Sequence, residues 1–297
     1  MRTDISFPSQ GLTCRGWLYL PDDHDNGQAL PTIIMAHGFS DVKEHALPEF
    51  AQKFNAAGFA AVVFDYRFYG DSDGEPRCQS FPLEMADDFR NAITWACEQA
   101  NIDGARIGLW GTSFAGGIVT YAATFDKRVK AVVAQVPTIS NGLTRRAADT
   151  EAWERPEEFL LADRLARFRS GEVNYLKVVA PEGEPCFLAG KEAYDFFMET
   201  KTAAPNWRNG VTVESMEKIR QFDPLSQIGL MSHAALLVIA AEHDTFKTVE
   251  SLEYAVDQAG GPAKLTKHPV GHFDVYKDPW LTIVVDEAID WYNEYLV

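Results

Sequence analysis

The chain has 297 residues, with 43 acidic and 27 basic side chains and a formal charge of −16, a size that fits one large domain or a domain with an insertion. Such an acidic field repels polyanions and anionic lipid surfaces, so neither nucleic acid nor a membrane is an expected partner. Hydrophobic residues at 46% exclude a disordered chain, and no apolar run reaches the length of a membrane span. Leu12 to Leu20 alternates inward and outward side chains, the pattern of a half-exposed antiparallel edge hairpin, and Pro21 to Gly27, with Asp22, Asp23, His24 and Asp25, reads as a solvated turn. Thr32 to Ala36 and Ala60 to Asp65 are nearly continuous apolar runs, as parallel strands buried on both faces should be, and His45 to Ala57 between them has helical periodicity. A second unit follows: a helix over Leu83 to Gln99, a strand over Arg106 to Trp110, a helix from Phe114 and a strand over Val129 to Val136.

The alternation predicts an α/β fold, a mostly parallel twisted sheet with helices on both faces. After Pro137, helix signals run to about Phe222 without intervening strands. Pro156-Glu157-Glu158 opens one such helix, and Gly171 closes it behind Arg167 and Arg169. The sheet resumes with Ala235 to Ala241 and Ala263 to Lys267, and an amphipathic helix carrying Leu281, Val284, Val285, Ile289 and Tyr292 ends the chain. The expected division is a core of residues 1–137 and 223–297 and a helical insertion over 138–222.

The first ten residues, MRTDISFPSQ, lack a basic stretch followed by an apolar one, so no secretory signal is read and the expected compartment is the cytoplasm. Cys14, Cys78, Cys97 and Cys186 lie far apart, which points to buried free thiols rather than a zinc site or a disulfide framework. No histidine and carboxylate cluster has ligand spacing and no Gly-rich phosphate loop follows a strand, so neither metal nor organic cofactor is implied.

The strongest local signal is Gly108-Leu109-Trp110-Gly111-Thr112-Ser113-Phe114-Ala115-Gly116-Gly117, where an apolar strand stops and a helix begins. A serine on such a hairpin needs a strained backbone and small neighbours, which Gly111, Ala115 and Gly116 supply. Its Oγ is then exposed at the carboxyl edge of the sheet, and the N–H of Phe114 is free to hold an oxyanion. Alone, the segment also fits a helix N-cap serine.

Further along come Glu242-His243-Asp244 after an apolar strand and Gly271-His272-Phe273-Asp274 before the last helix. A hydroxyl becomes nucleophilic when an imidazole accepts its proton, and the imidazole needs a carboxylate to fix its tautomer. Ser113, Asp244 and His272 stand in the order that places all three on one sheet edge. Asp274 competes with Asp244 but would have to fold back on His272. His24, His45, His233, His243 and His268 read as surface or structural histidines. His37-Gly38-Phe39-Ser40 follows the strand ending at Ala36; there the N–H of Phe39 is the second oxyanion donor and Gly38 lets the backbone approach substrate. His37 is either a substrate contact or a structural partner of that loop.

Several blocks in order resemble the α/β-hydrolase superfamily along nearly the whole chain: His37-Gly38-Phe39-Ser40-Asp41-Val42-Lys43-Glu44, Phe64 to Arg77, Gly111 to Gly117 and Gly271-His272-Phe273-Asp274. The nearest likeness is the dienelactone-hydrolase-like branch that holds YcjY-type hydrolases and fungal polyketide transferases. The resemblance implies a Ser113-His272-Asp244 enzyme whose insertion caps the pocket, and it leaves the substrate open. Where YcjY-type relatives tend to carry a tyrosine and a serine, this elbow has Phe114 and Ala115, which removes two hydroxyl donors.

Aromatic residues of the insertion, Trp153, Phe159, Phe168, Tyr175, Phe187, Tyr194, Phe196, Phe197 and Trp207 among them, either line a pocket for a bulky or carrier-bound acyl group or form the insertion's own core; Trp153 is the substrate contact named from this set. Arg67 either holds a substrate carboxylate or staples its loop through Asp65 or Asp71. Hydrolysis of an ester, lactone or thioester is the first expectation; acyl transfer or polyketide-type cyclisation at the same site is the second, and a catalytically silent binding protein the third. The expected partner is a small acyl molecule, with a homodimer as the assembly left open.

Overall fold

The computed structural model describes residues 1–22, 24, 27–140, 142, 146 and 149–297. Asp23 and Asp25 of the expected acidic turn lie outside the described residues. The chain runs β1 (Arg2–Ser9), β2 (Leu12–Tyr19), β3 (Leu30–Ala36), α1 (Leu47–Ala56), β4 (Ala60–Phe64), α2 (Pro82–Cys97), β5 (Ile102–Thr112), α3 (Phe114–Phe125) and β6 (Val129–Gln135). It continues with α4 (Thr150–Glu154), α5 (Glu157–Ser170), β7 (Tyr175–Leu176), α6 (Lys191–Thr200), β8 (Val211–Thr212), α7 (Val213–Gln221), β9 (Ala235–Ala241), α8 (Val249–Asp257), β10 (Ala263–His268) and α9 (Trp280–Leu296).

Eight strands form one sheet in the order β1-β2-β4-β3-β5-β6-β9-β10. β1, β2 and β4 pair antiparallel, and every pairing from β4 across to β10 is parallel. β3, β4 and β9 are buried at every residue, as their unbroken apolar runs require in the middle of a sheet covered on both faces. Successive residues of β5 serve opposite layers: Leu109 joins the apolar layer with Phe89, Ile118 and Val119, and Trp110 joins Phe50, Phe54 and Val284 on the other face.

The antiparallel hairpin expected at an edge of the sheet is formed by β2 with β1; β2 sits between β1 and β4, and the outermost strand is β1, in which Phe7 and Ser9 alone are buried, so it carries no apolar run to recognise. One expectation is corrected. The segment after Pro137 is not free of strands, because β7 and β8 pair antiparallel through Tyr175 with Thr212 and Leu176 with Val211; two residues are too few to show a period. α5 forms where its capping pattern puts it. Glu157 and Glu158 face the positive end of the helix dipole, Arg167 and Arg169 the negative end, and Gly171 ends it at φ 70°.

The parallel strands point their carboxyl ends the same way, so the turns after β3, β5, β9 and β10 gather at one rim. No described helix is long and apolar enough to cross a membrane. α9 is tied to the centre of the sheet by Tyr292, whose hydroxyl donates to Leu109 O at 2.7 Å. Gly108 allows that approach: a Cβ there would lie 2.8 Å from Tyr292 Cε1 and 2.9 Å from Leu296 Cδ1. Tyr292→Phe deletes a fully buried hydrogen bond with little change of shape, and we expect it to cost roughly 1–2 kcal/mol, read as a lower urea midpoint at unchanged slope.

Candidate active site

β5 ends at Thr112 and α3 begins at Phe114, leaving Ser113 at φ 54°, ψ −119°. That left-handed conformation is unfavourable for any residue with a Cβ. Three hydrogen bonds hold it: Ser113 N donates to Gln135 O at 2.8 Å, Thr138 N to Ser113 O at 2.8 Å and Gly116 N to Ser113 O at 3.1 Å. The neighbours must also be bare. A Cβ on Gly111 would lie 2.4 Å from Ala115 O, one on Gly116 2.6 Å from Pro137 Cβ, and one on Gly117 2.1 Å from Thr138 O.

The turns after β9 and β10 bring Asp244 and His272 to the same rim. His272 Nε2 lies 3.0 Å from Ser113 Oγ, and its Nδ1 lies 2.7 Å from Asp244 Oδ2. The other Asp244 oxygen accepts the backbone N–H groups of Phe246 at 2.7 Å and Lys247 at 3.1 Å, which fixes the carboxylate before it meets the ring. Asp274 instead accepts Gly271 N–H at 2.8 Å and closes its own turn. Phe246 and Phe273 set their rings edge-on to His272, 5.1 and 5.0 Å between centroids.

These groups open into a cleft whose walls include Gly38, Phe39, Phe114, Phe187, Phe196 and Phe197. Phe39 stacks on Phe187 at 4.2 Å and meets the edge of Phe114 at 5.8 Å. The N–H of Phe114 is the first of α3, where no intrahelical acceptor exists, and Phe39 follows Gly38, which packs against Thr112 and Ser113. Behind the elbow, the Tyr276 hydroxyl shares a 2.5 Å hydrogen bond with Thr112 Oγ1, which Gln135 Nε2 approaches at 3.3 Å.

Three expected substrate contacts lie elsewhere. His37 is fully buried: Nδ1 donates to Gly38 O at 3.0 Å, Nε2 lies 3.9 Å from Asp65, and Tyr66 and Tyr69 pack on the ring. Burial holds its pKa below the usual histidine range despite Asp65 and Asp41, so it is a structural partner of the loop. Arg67 is a staple, but to α2 rather than to Asp65 or Asp71: Nε donates to Asp88 at 2.6 Å and Nη2 to Glu84 O at 2.9 Å. Trp153 lies under the Arg220 guanidinium at 4.0 Å, in a groove bounded by Glu157 and Arg164 and away from the cleft. Of the insertion's aromatic residues, Phe187, Phe196 and Phe197 reach the cleft, Trp207 stacks behind Phe197, and Phe168 is 88% exposed and serves neither pocket nor core.

The loop after β3 holds two further polar features, neither of them singled out by residue spacing. His45 is buried, is paired with Asp41 and borders the cleft. Lys43, also buried, donates to Asp65 at 2.8 Å, Asp71 at 2.6 Å and Glu44 at 2.8 Å. Those three carboxylates lie close enough to share a cation, and the Lys43 ammonium supplies that charge. Burial opposes charging Lys43, but the carboxylates prevail and hold its pKa well above the usual range. The lone signal for either feature was acidic and basic residues crowded into an apolar neighbourhood, Asp41 to His45.

A strained turn carrying a serine at the carboxyl edge of a mostly parallel sheet, under an apolar cleft, defines an enzyme of the α/β-hydrolase fold. The chain belongs to the X-Pro dipeptidyl-peptidase (S15) family, whose profile matches residues 15–274. It is 28% identical to the quorum-quenching protein AidA of Acinetobacter baumannii over 97% of this chain and 93% of that one. It is 33% identical to thiohydrolase aneE of Aspergillus aculeatus over 86% and 80% of the two chains. The crystal structure of the α/β hydrolase GrgF from Penicillium superposes with a TM-score of 0.84 at 27% identity over 100% of this chain and 99% of that one. A Penicillium protein named polyketide transferase grgF is 34% identical over 61% and 59%. The resemblance read from the sequence blocks holds, and the relatives support hydrolase or acyltransferase activity.

Lys43→Met strands three carboxylates around an apolar side chain. We expect a loss of about 3–5 kcal/mol. The loss should be smaller at pH 5 than at pH 8, because burial raises Glu44 and carboxylates without their cation take up protons more readily folded than unfolded. Urea unfolding of both proteins at the two pH values measures it.

Proposed function

We propose that the protein is a serine hydrolase that cleaves an ester, lactone or thioester through an acyl-enzyme. Ser113 Oγ attacks the carbonyl carbon while its proton passes to His272 Nε2. Asp244 keeps Nδ1–H directed at itself and stabilises the imidazolium that forms. The N–H groups of Phe39 and Phe114 hold the tetrahedral oxyanion. As the intermediate collapses, His272 returns the proton to the departing alcohol or thiol, and water then repeats the sequence on the acyl-enzyme. Residues 138–222 act as a cap, contributing Phe187, Phe196 and Phe197 to the acyl pocket.

The observation that carries this reading is the unbroken line of hydrogen bonds, 3.0 Å from Ser113 to His272 and 2.7 Å from His272 to Asp244, at distances suited to proton transfer in the resting enzyme. Thioester hydrolysis is favoured among the three by the 33% identical thiohydrolase. Transfer of the acyl group to a second nucleophile, or cyclisation onto one within the substrate, is the alternative, favoured by the polyketide transferase among the relatives.

A fluorophosphonate probe should label the wild type and leave Ser113→Ala unlabelled; an unlabelled wild type would make the protein a binder instead. Asp244→Asn should lower kcat/KM for an activated ester by about 10³–10⁴, since the imidazole then loses its tautomer. Intact mass after mixing with an acyl thioester, with and without an added amine or alcohol, separates hydrolysis from transfer: free acid alone supports the first, an acyl adduct of the acceptor the second.

A further inference from the structure

His45 lies in the loop between β3 and α1, on the wall of the cleft that holds Ser113 and His272. Its Nδ1 is hydrogen-bonded to Asp41, whose carboxylate also accepts Val42 N–H at 2.9 Å. Phe196, Phe197 and Trp207 surround the ring at 6.4, 5.9 and 5.9 Å between centroids. The residue is 2% exposed, and its Nε2 is buried without a hydrogen-bond partner. Histidines in a protein core ordinarily engage both nitrogens, because a buried polar atom left alone costs the full free energy of its lost hydration. Here one nitrogen is fixed by a carboxylate, and the other is left unpaired among aromatic rings in a residue that borders the cleft.

We propose that the Asp41–His45 pair is a second polar anchor of the cleft, in which His45 Nε2 binds a keto oxygen of the acyl group remote from the scissile carbonyl. The inference rests on the acyl-enzyme reading and names the acyl class it serves. Burial alone would discharge the imidazole, but Asp41 beside it, with Glu44 and Asp65 beyond, outweighs burial and holds the pKa above the usual histidine range. In the charged form, which the Asp41 carboxylate against Nδ1 favours, Nε2 carries a hydrogen and seeks an acceptor. A carboxylate on the substrate would add a further anion beside Asp41, Glu44 and Asp65 and is disfavoured. A hydroxyl brings a hydrogen that needs its own acceptor, and the rings around His45 provide none: the Trp207 indole is itself a donor, engaged with Ser40 O at 2.9 Å. A ketone asks for one donor and offers apolar flanks to Phe196 and Phe197.

The test compares p-nitrophenyl hexanoate with its 4-oxo and 5-oxo analogues, read as the ratio of kcat/KM for oxo over plain acyl ester. In the wild type one oxo ester should lead by tenfold or more; His45→Leu should bring the ratio below twofold; His45→Gln, which keeps a donor, should restore at least a third of it. Asp41→Asn should cut the ratio at least threefold and, with His45→Gln, carries the test if the leucine variant does not fold. A wild-type ratio below twofold for both esters, a ratio unchanged in every folded variant, or failure of all the esters to acylate a protein whose Ser113 labels with fluorophosphonate, each overturns the proposal. Fluorophosphonate labelling of the same samples keeps the two readings apart: absent labelling of the wild type removes the acyl-enzyme itself, whereas normal labelling with a flat ratio removes the keto anchor alone.

Discussion

The backbone of Ser113 is the constraint on which the site depends. A residue with a Cβ at φ 54° carries a penalty of about 1–3 kcal/mol, and that conformation persists because its surroundings leave no other. β6 takes its N–H through Gln135 O, and Thr138 and Gly116 take its carbonyl. Gly116 lies against Pro137 and Gly117 against Thr138 at distances no side chain would allow. The same contacts therefore fix two things at once: where the serine oxygen projects, and where the chain leaves β6 to enter residues 138–222. Ser113 and the start of residues 138–222 share one mechanical support.

A second support lies under the loop after β3, which carries Gly38 and Phe39 on one side and Asp41 and His45 on the other. Asp65, fully buried at the end of β4, receives Lys43 Nζ and Lys43 N–H at 2.8 Å each and Asp71 N–H at 3.0 Å. His37, held neutral by burial, bonds back to Gly38 O in the same loop. Arg67, the next residue but one, ties the following loop to α2 through Asp88. Lys43, Asp65 and Arg67 thus hold backbone in place, so the shape of the loop beside the cleft is set before any substrate arrives.

How much of this was legible depended on range. The central strands were readable because burial on both faces forces unbroken apolar runs, and Ala235–Ala241 coincides with the run that marks it. The strain at Ser113 was readable because it demands small residues at fixed offsets; Gly117, whose Cβ would strike Thr138 O, meets a residue far from it in local pattern and stood in the segment without a role. β1 was not readable, since as an exposed edge it needs no hydrophobic pattern. The partner of Arg67 was misread for a different reason. Asp65 and Asp71 were near in sequence, but Asp88 is brought close by packing of α2 on the sheet, and no local rule reports which of several acids a folded helix delivers. His45 was set aside on the same ground: its position beside a helix start is local, and its place on the cleft wall is not.

Under the proposed acyl-enzyme mechanism, hydrolysis and transfer differ in what reaches the intermediate, so the decisive residues are those that line its surroundings rather than those that form it. Here the division of labour follows the chain. Residues on the sheet rim supply the polar line from Ser113 to Asp244, and Phe187, Phe196 and Phe197 from 138–222 supply much of the apolar wall facing it. An apolar wall strengthens the hydrogen bonds it encloses by lowering the local dielectric, and it selects acyl groups by shape far less sharply than a polar group does, because a methylene more or less changes binding by only about 1–3 kcal/mol. Sharp discrimination in such a cleft has to come from a polar atom whose desolvation is wasted on the wrong substrate. His45 Nε2, buried in that wall without a partner, meets this physical requirement.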